Sequence, residues 1–142
     1  MQVFRLLIAA SSSAGISLLF SQSILAQTPI ISITRNQPTE PLVLNGRSGG
    51  TVSSKCGNIP SAPSQVIQVT ESLPYLRLTV ESTGKPTLLI DGPGGRFCVM
   101  ADNYSGGKTE MSGFWLPGMY TVYIGESSPK QQNYTLSISQ KK

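Results

Sequence analysis

From residue 27 onward the chain alternates apolar and polar side chains, and no stretch carries the 3.6-residue period of a helix. "YLRLTV" (75–80) sets Leu76, Leu78 and Val80 against Tyr75, Arg77 and Thr79. "MYTVYIG" (119–125) groups Tyr120, Val122 and Ile124, and "NYTLSIS" (133–139) groups Tyr134, Leu136 and Ile138. A period of two is what a half-buried antiparallel strand requires, because successive side chains leave opposite faces of the sheet. Further candidate strands are "IISIT" (30–34), "PLVLNG" (41–46), "QVIQVT" (65–70), "PTLLID" (86–91) and "RFCVM" (96–100). Turn chemistry separates them: "NGRSGG" (45–50), "PSAPS" (60–64), "STGKP" (82–86), "DGPGG" (91–95), "LPG" (116–118) and "ESSPK" (126–130). Prolines 29, 38 and 41 suit an edge strand or an arm. The pattern predicts one all-β domain over 27–142, an antiparallel β-sandwich of jelly-roll-like form with about eight short strands.

The head of the chain has a different composition. Arg5 precedes an apolar run from Leu6 to Phe20, loosened by serines and Gly15, and "SILA" ends on a small residue at Ala26. These are the three parts of a secretory signal peptide, with the cut expected after Ala26. An uncleaved anchor would want about 20 mostly apolar residues, and the serines break the run. No cysteine follows the cut to accept a lipid. Residues 1–26 are therefore expected to leave, with no membrane span afterwards and a secreted or periplasmic destination for 27–142.

Export bears on the two cysteines, Cys56 and Cys98, which lie 42 positions apart. In an oxidising compartment a disulfide joining two core-facing positions is expected. Metal ligation or a nucleophilic thiol are the alternatives, but the chain contains no histidine to serve either. The formal charge of +4 owes much to Arg5 and the terminal Lys141–Lys142 pair. The remaining Lys and Arg are scattered singly, without the clustered basic and aromatic residues of a nucleic-acid surface.

The stretch "DGPGGRFCVMADNYSGGKT" (91–109) invites a test for chemistry. "GGKT" (106–109) ends like a phosphate loop, but Asp102 stands where the first glycine of that loop belongs and would repel a phosphate. "GPGGRF" has Phe97 in place of the third glycine of a dinucleotide fingerprint, and no helix follows it. "SGGK" (105–108) lacks the companion motifs of a Ser-x-x-Lys enzyme. Without histidine the Ser-His-Asp and Cys-His mechanisms are excluded. Asp91, Asp102 and Glu110 leave a carboxylate pair formally open. Asp91, Asp102 and Asn103 supply oxygens for a metal, but their spacing follows no calcium loop. The simpler reading gives these acids to turns, with Asp91 accepting from following amides while Gly92 and Gly94 take strained dihedrals. "GFWLPG" sets Phe114 and Trp115 just before a strand, where an indole either caps the core or stacks on a sugar. Trp115, Phe114 and Tyr104 are the candidate ligand-binding residues. Asn103 and Asn133 head glycosylation sequons.

"PTLLIDGPGGRFC…GFWLPGMYTVYIGESSPKQQNYTLSIS" resembles the C-terminal half of the bacterial pre-peptidase C-terminal domain. That family has a strand ending in a "D-x-x-G" turn, then "pGtYyv.V", a short loop and a closing "Y.L.v". The chain from residue 27 also resembles small secreted cyanobacterial proteins with a "CG.IP…P..VI.VTE…YLR" front half. The resemblance implies a β-sandwich accessory module. Pro86 and Thr87 stand where the family often has paired aspartates, so no cation site carries over.

The functional expectation is an exported, non-catalytic β-sandwich that binds a partner outside the cytoplasm, such as a polysaccharide or another cell-envelope component. No cofactor is implied. A carbohydrate-binding module using exposed aromatics is the alternative, and a carboxylate hydrolase a more distant one.

Overall fold

A computed structural model describes residues 15–17, 27–101 and 107–142. The expected leader 1–26 lies almost wholly outside the described residues, as do Asp102, Asn103 and Tyr104. Among the described residues no helix is long and apolar enough to cross a membrane.

Among the described residues eleven strands form two sheets. They are β1 (Ile30–Ile33), β2 (Leu42–Arg47), β3 (Val52–Ser54), β4 (Gly57–Ile59), β5 (Gln65–Val69), β6 (Leu73–Ser82), β7 (Pro86–Gly92), β8 (Gly95–Met100), β9 (Lys108–Trp115), β10 (Gly118–Glu126) and β11 (Asn133–Ser139). One sheet runs β1-β5-β10-β7-β8, with the short β4–β3 ladder joined to the far end of β10 through Glu126 and Asn58. The other runs β2-β11-β6-β9. All pairings are antiparallel except β1 with β5. The expected sandwich is present.

The core lies between the sheets and follows the alternation. Leu76, Leu78, Val80, Val122, Ile124 and Leu136 are fully buried. Leu73 and Leu76 are both buried although three residues apart, because β6 holds one extra residue between them where its register against β9 shifts. Pro74 sits in that bulge, where a missing N–H costs no ladder bond.

Three strands go beyond the sequence expectation, and two details correct it. Strands β3 and β4 are only three residues long. Strand β9 keeps a period of two through Thr109, Met111, Gly113 and Trp115, but a glycine on the inward face hides it. Asn45 and Gly46, shared between the expected strand 41–46 and the expected turn 45–50, belong with Arg47 to β2. Gly46 is required there because a Cβ would lie 2.5 Å from the Tyr134 hydroxyl.

The Cys56–Cys98 disulfide is formed, with Cα atoms 5.7 Å apart. Cys56 is buried, but Cys98 is exposed, which corrects the expectation that both face the core. The cause is the register of β7 with β8. Cys98 pairs with Leu89, whose neighbours Leu88 and Ile90 take the core face, so the bridge lies on the outer face of its sheet.

At the end of β10 sits Glu126, wholly buried. Its Oε1 accepts from Ser48 Oγ (2.7 Å) and Ser82 Oγ (3.2 Å), and its Oε2 accepts from the Lys85 N–H (2.9 Å). One carboxylate thus joins β10 to segments at the ends of β2 and β6 in the other sheet.

Candidate functional site

The opposite end of β10 carries the candidate site. There the hairpin turn Pro93–Gly94 packs against the turn between β9 and β10. A Cβ on Gly118 (φ +143°) would lie 2.4 Å from Pro93 Cγ, and one on Gly92 would lie 2.2 Å from Tyr120 Cδ1. Both glycines allow the two turns to meet. Tyr120 is buried beneath them and donates its hydroxyl to the Leu116 carbonyl at 2.7 Å. Burial pushes the Tyr120 hydroxyl pKa up, opposed by that hydrogen bond.

Alternation along β9 then separates the two aromatics. Trp115 points inward, is 6% exposed, and lies with its ring centroid 4.6 Å from that of Tyr120 at a 52° tilt. Such a tilted pair gains from the ring quadrupoles beyond its buried area. Phe114 points outward and is 61% exposed. Trp115 therefore closes the end of the core, and Phe114, not the indole, protrudes.

Between the edge strands β8 and β9 this arrangement leaves a groove of about 240 Å³. Phe97, Met111, Phe114, Trp115, Leu116 and Tyr120 dominate its lining. Phe97 and Leu116 are about half exposed. Among the described residues no carboxylate, amine or thiol lines it, and the Tyr120 hydroxyl is committed to Leu116. The chemistry these residues offer is apolar contact and ring stacking.

Asp91, next to Ile90 but on the outer face of β7, takes a role other than the expected one. It is within β7, and its Oδ2 accepts from Arg96 Nη2 at 3.1 Å across the hairpin. It caps no turn. The left-handed conformation falls to Gly95 (φ +109°), not to Gly92 or Gly94. Glu110 pairs with Lys108 at 3.9 Å and accepts from Thr79 Oγ1 at 3.1 Å. Among the described residues no three of His, Cys, Asp and Glu gather to hold a metal. Phe97, Met111, Leu116 and Tyr120 were missed as groove residues. A two-residue hairpin at Pro93–Gly94 sets Phe97 opposite Ile90, a register that "IDGPGGRF" does not specify by itself because several turn positions suit its glycines.

No protein-family model matches the chain. An uncharacterized protein of Synechococcus elongatus is 34% identical over 131 residues, spanning 84% of this chain and 96% of that protein. The chain belongs to the same family. Its fold is that of the pre-peptidase C-terminal domain. The crystal structure of that domain from a Bacillus anthracis collagenase superposes with a TM-score of 0.51 at 13% identity, covering 82% of this chain and 100% of the domain. At that identity the likeness concerns fold alone. A periplasmic inhibitor of g-type lysozyme from Aeromonas hydrophila aligns at a TM-score of 0.37 and 14% identity over 80% of this chain and 96% of the inhibitor, too low to bear on function.

Proposed function

We propose that this family member is an exported, non-catalytic binding module that seats a partner on the groove between β8 and β9. The observation that carries this reading is the set of half-exposed apolar side chains, Phe97, Phe114 and Leu116, gathered over a buried Trp115–Tyr120 pair. Solvent-facing apolar clusters of this kind mark contact sites more often than they serve the fold. The leader-like segment 1–26 and a disulfide, which persists in oxidising compartments, support a secreted or periplasmic location.

The test uses Trp115, the chain's single tryptophan, as a reporter inside the groove. Envelope polysaccharides and peptide libraries are titrated against its emission, with Phe114→Ala as the groove variant. Saturable shifts that Phe114→Ala weakens are expected. Sequencing the mature N-terminus from the native host should give Gln27 and should place the protein outside the cytoplasm. Silence of Trp115 toward every ligand class, or a retained Met1 in the cytosol, would overturn the reading. The exposed ring of Phe114 favours a second reading, in which a sugar stacks there.

A further inference from the structure

Resting on that reading of the groove, the geometry points to the class of its partner: an extended, uncharged peptide segment that adds as a strand to the free edge of β8 and drops an apolar side chain into the groove.

The register of the hairpin determines which backbone groups of β8 are free. Gly92 pairs with Gly95, Ile90 with Phe97 and Leu88 with Val99, and the ladder continues with the Ala101 N–H bonding the Pro86 carbonyl. In an antiparallel pair, hydrogen-bonded and non-bonded residues alternate. Gly95, Phe97, Val99 and Ala101 are therefore turned toward β7. The N–H and C=O groups of Arg96, Cys98 and Met100 point away from the sheet, and among the described residues no further strand pairs with β8.

Other edges are guarded in ways that β8 is not. Strand β9 places Lys108 and Glu110 on its exposed face. Strand β3 is three residues long, β1 follows Pro29, and β2 follows Pro41 and ends at Arg47. Such charges, prolines and short lengths block strand addition. "GRFCVM" has no proline, and its one charge, Arg96, is neutralised by Asp91. The disulfide at Cys98 also fastens this edge to Cys56, so less ordering is required when a strand docks.

The groove supplies the second half of the recognition. Phe97 lies on the core-facing side of β8, and the groove opens between it and β9. Every second side chain of a strand added to β8 would project to that side. A volume near 240 Å³ takes one large apolar side chain. Backbone bonds would hold the segment and the pocket would select its side chain, as in other strand-addition sites. The charges carried by β8 and β9 are paired, Arg96 with Asp91 and Lys108 with Glu110, so an uncharged segment is the complementary one.

The test is selection of a displayed random decapeptide library on the oxidised protein, followed by titration of capped synthetic peptides against Trp115 emission. Selected sequences should carry apolar residues at alternate positions and little net charge. Met100→Pro removes an outward N–H and leaves the bonds to β7 intact, and Phe97→Ser opens the pocket. Each should weaken binding about tenfold or more, the worth of a lost backbone bond or apolar contact. Peptides N-methylated on alternate amides, assayed on the unmodified protein, should lose affinity in one phase of the alternation only, which keeps the test valid if a variant misfolds. Failure to select a peptide, affinity indifferent to Met100→Pro and to the methylation phase, or a native dimer that Met100→Pro dissociates would each overturn the inference. A glycan that shifts Trp115 emission regardless of Met100→Pro would overturn it too while leaving the groove reading standing. Silence toward both peptide and glycan would remove both.

Discussion

Replacing Glu126 by alanine tests whether one buried carboxylate clips the two sheets together. The side chain is wholly buried, and no Lys or Arg forms a salt bridge with it among the described residues. Its carboxyl oxygens accept from the Ser48 and Ser82 hydroxyls and the Lys85 N–H. In the alanine variant Ser48 can still turn its proton to the Gln132 carbonyl at 3.1 Å, but the Lys85 N–H has no second acceptor in place. One stranded amide, two weakened hydroxyl bonds and the vacated volume together amount to about 3 kcal/mol, after allowing for the carboxylate desolvation that is no longer incurred. Glu126→Gln keeps one acceptor oxygen and turns an amide donor toward the remaining groups, so it should cost about half as much. Urea unfolding monitored by circular dichroism, with the m-value held constant, gives both differences directly. The alanine variant should melt about 10 °C lower. An alanine variant within about 0.5 kcal/mol of the parent, or one more stable than the glutamine variant, would refute the clip.

The disulfide closes a 42-residue separation, so Cys56→Ala with Cys98→Ala should lose about 4 kcal/mol on the chain-entropy model, and thiol titration of the folded parent should find no free cysteine. Burial alone would raise the Glu40 pKa, but hydrogen bonds from the Ser139 hydroxyl and Gln140 N–H, with the charges of Lys141 and Arg77, bring it below 4.5. Its stabilising contribution is therefore complete above pH 4.5 and lost as pH falls through the lower folded value, so the gap between parent and Glu40→Gln should close on acidification of an unfolding series. Gly92→Ala drives a Cβ to 2.2 Å from the Tyr120 ring and should lower the melting temperature and disturb the Trp115 near-ultraviolet signal, whereas Gly94→Ala, whose Cβ would meet Phe97 at 3.7 Å, should do neither.

The fold was legible because alternation is a local property with a strong physical cause. Tyr120, Val122 and Ile124 can be buried together only if β10 is a strand, and Tyr134, Leu136 and Ile138 repeat the argument. Strand β9 escaped because its inward positions include Gly113, which supplies no apolar signal, and because its pairing with β6 runs through a bulge. That bulge lets both Leu73 and Leu76 reach the core, which strict alternation forbids. The error over Asp91 has the same root. Aspartate before glycine suggests a turn, but where a two-residue hairpin begins depends on which residues pair across it, and pairing is not a local property.

The site was less legible than the fold because it is made by the meeting of two edges. Trp115 drew attention as the chain's single indole, yet the alternation that buries Leu76 and Val80 in β6 also turns Trp115 inward in the paired β9 and leaves Phe114 outside. Phe97 looked like one more strand residue in "RFCVM", and only the β7–β8 register brings it over Ile90 at the open side of the sandwich. One glycine of the stretch tested for a phosphate cradle, Gly92, serves this same meeting together with Gly118 of the facing turn. Gly92 admits the Tyr120 ring and Gly118 admits Pro93, so the "DGPGG" and "LPG" turns close on each other and lend Gly94 and Leu116 to the lining of an apolar groove. A glycine cluster cradles an anion when its amides converge on empty space. Here Gly92 and Gly118 instead let a ring and a proline approach the backbone, and the property this gives the surface is apolar contact.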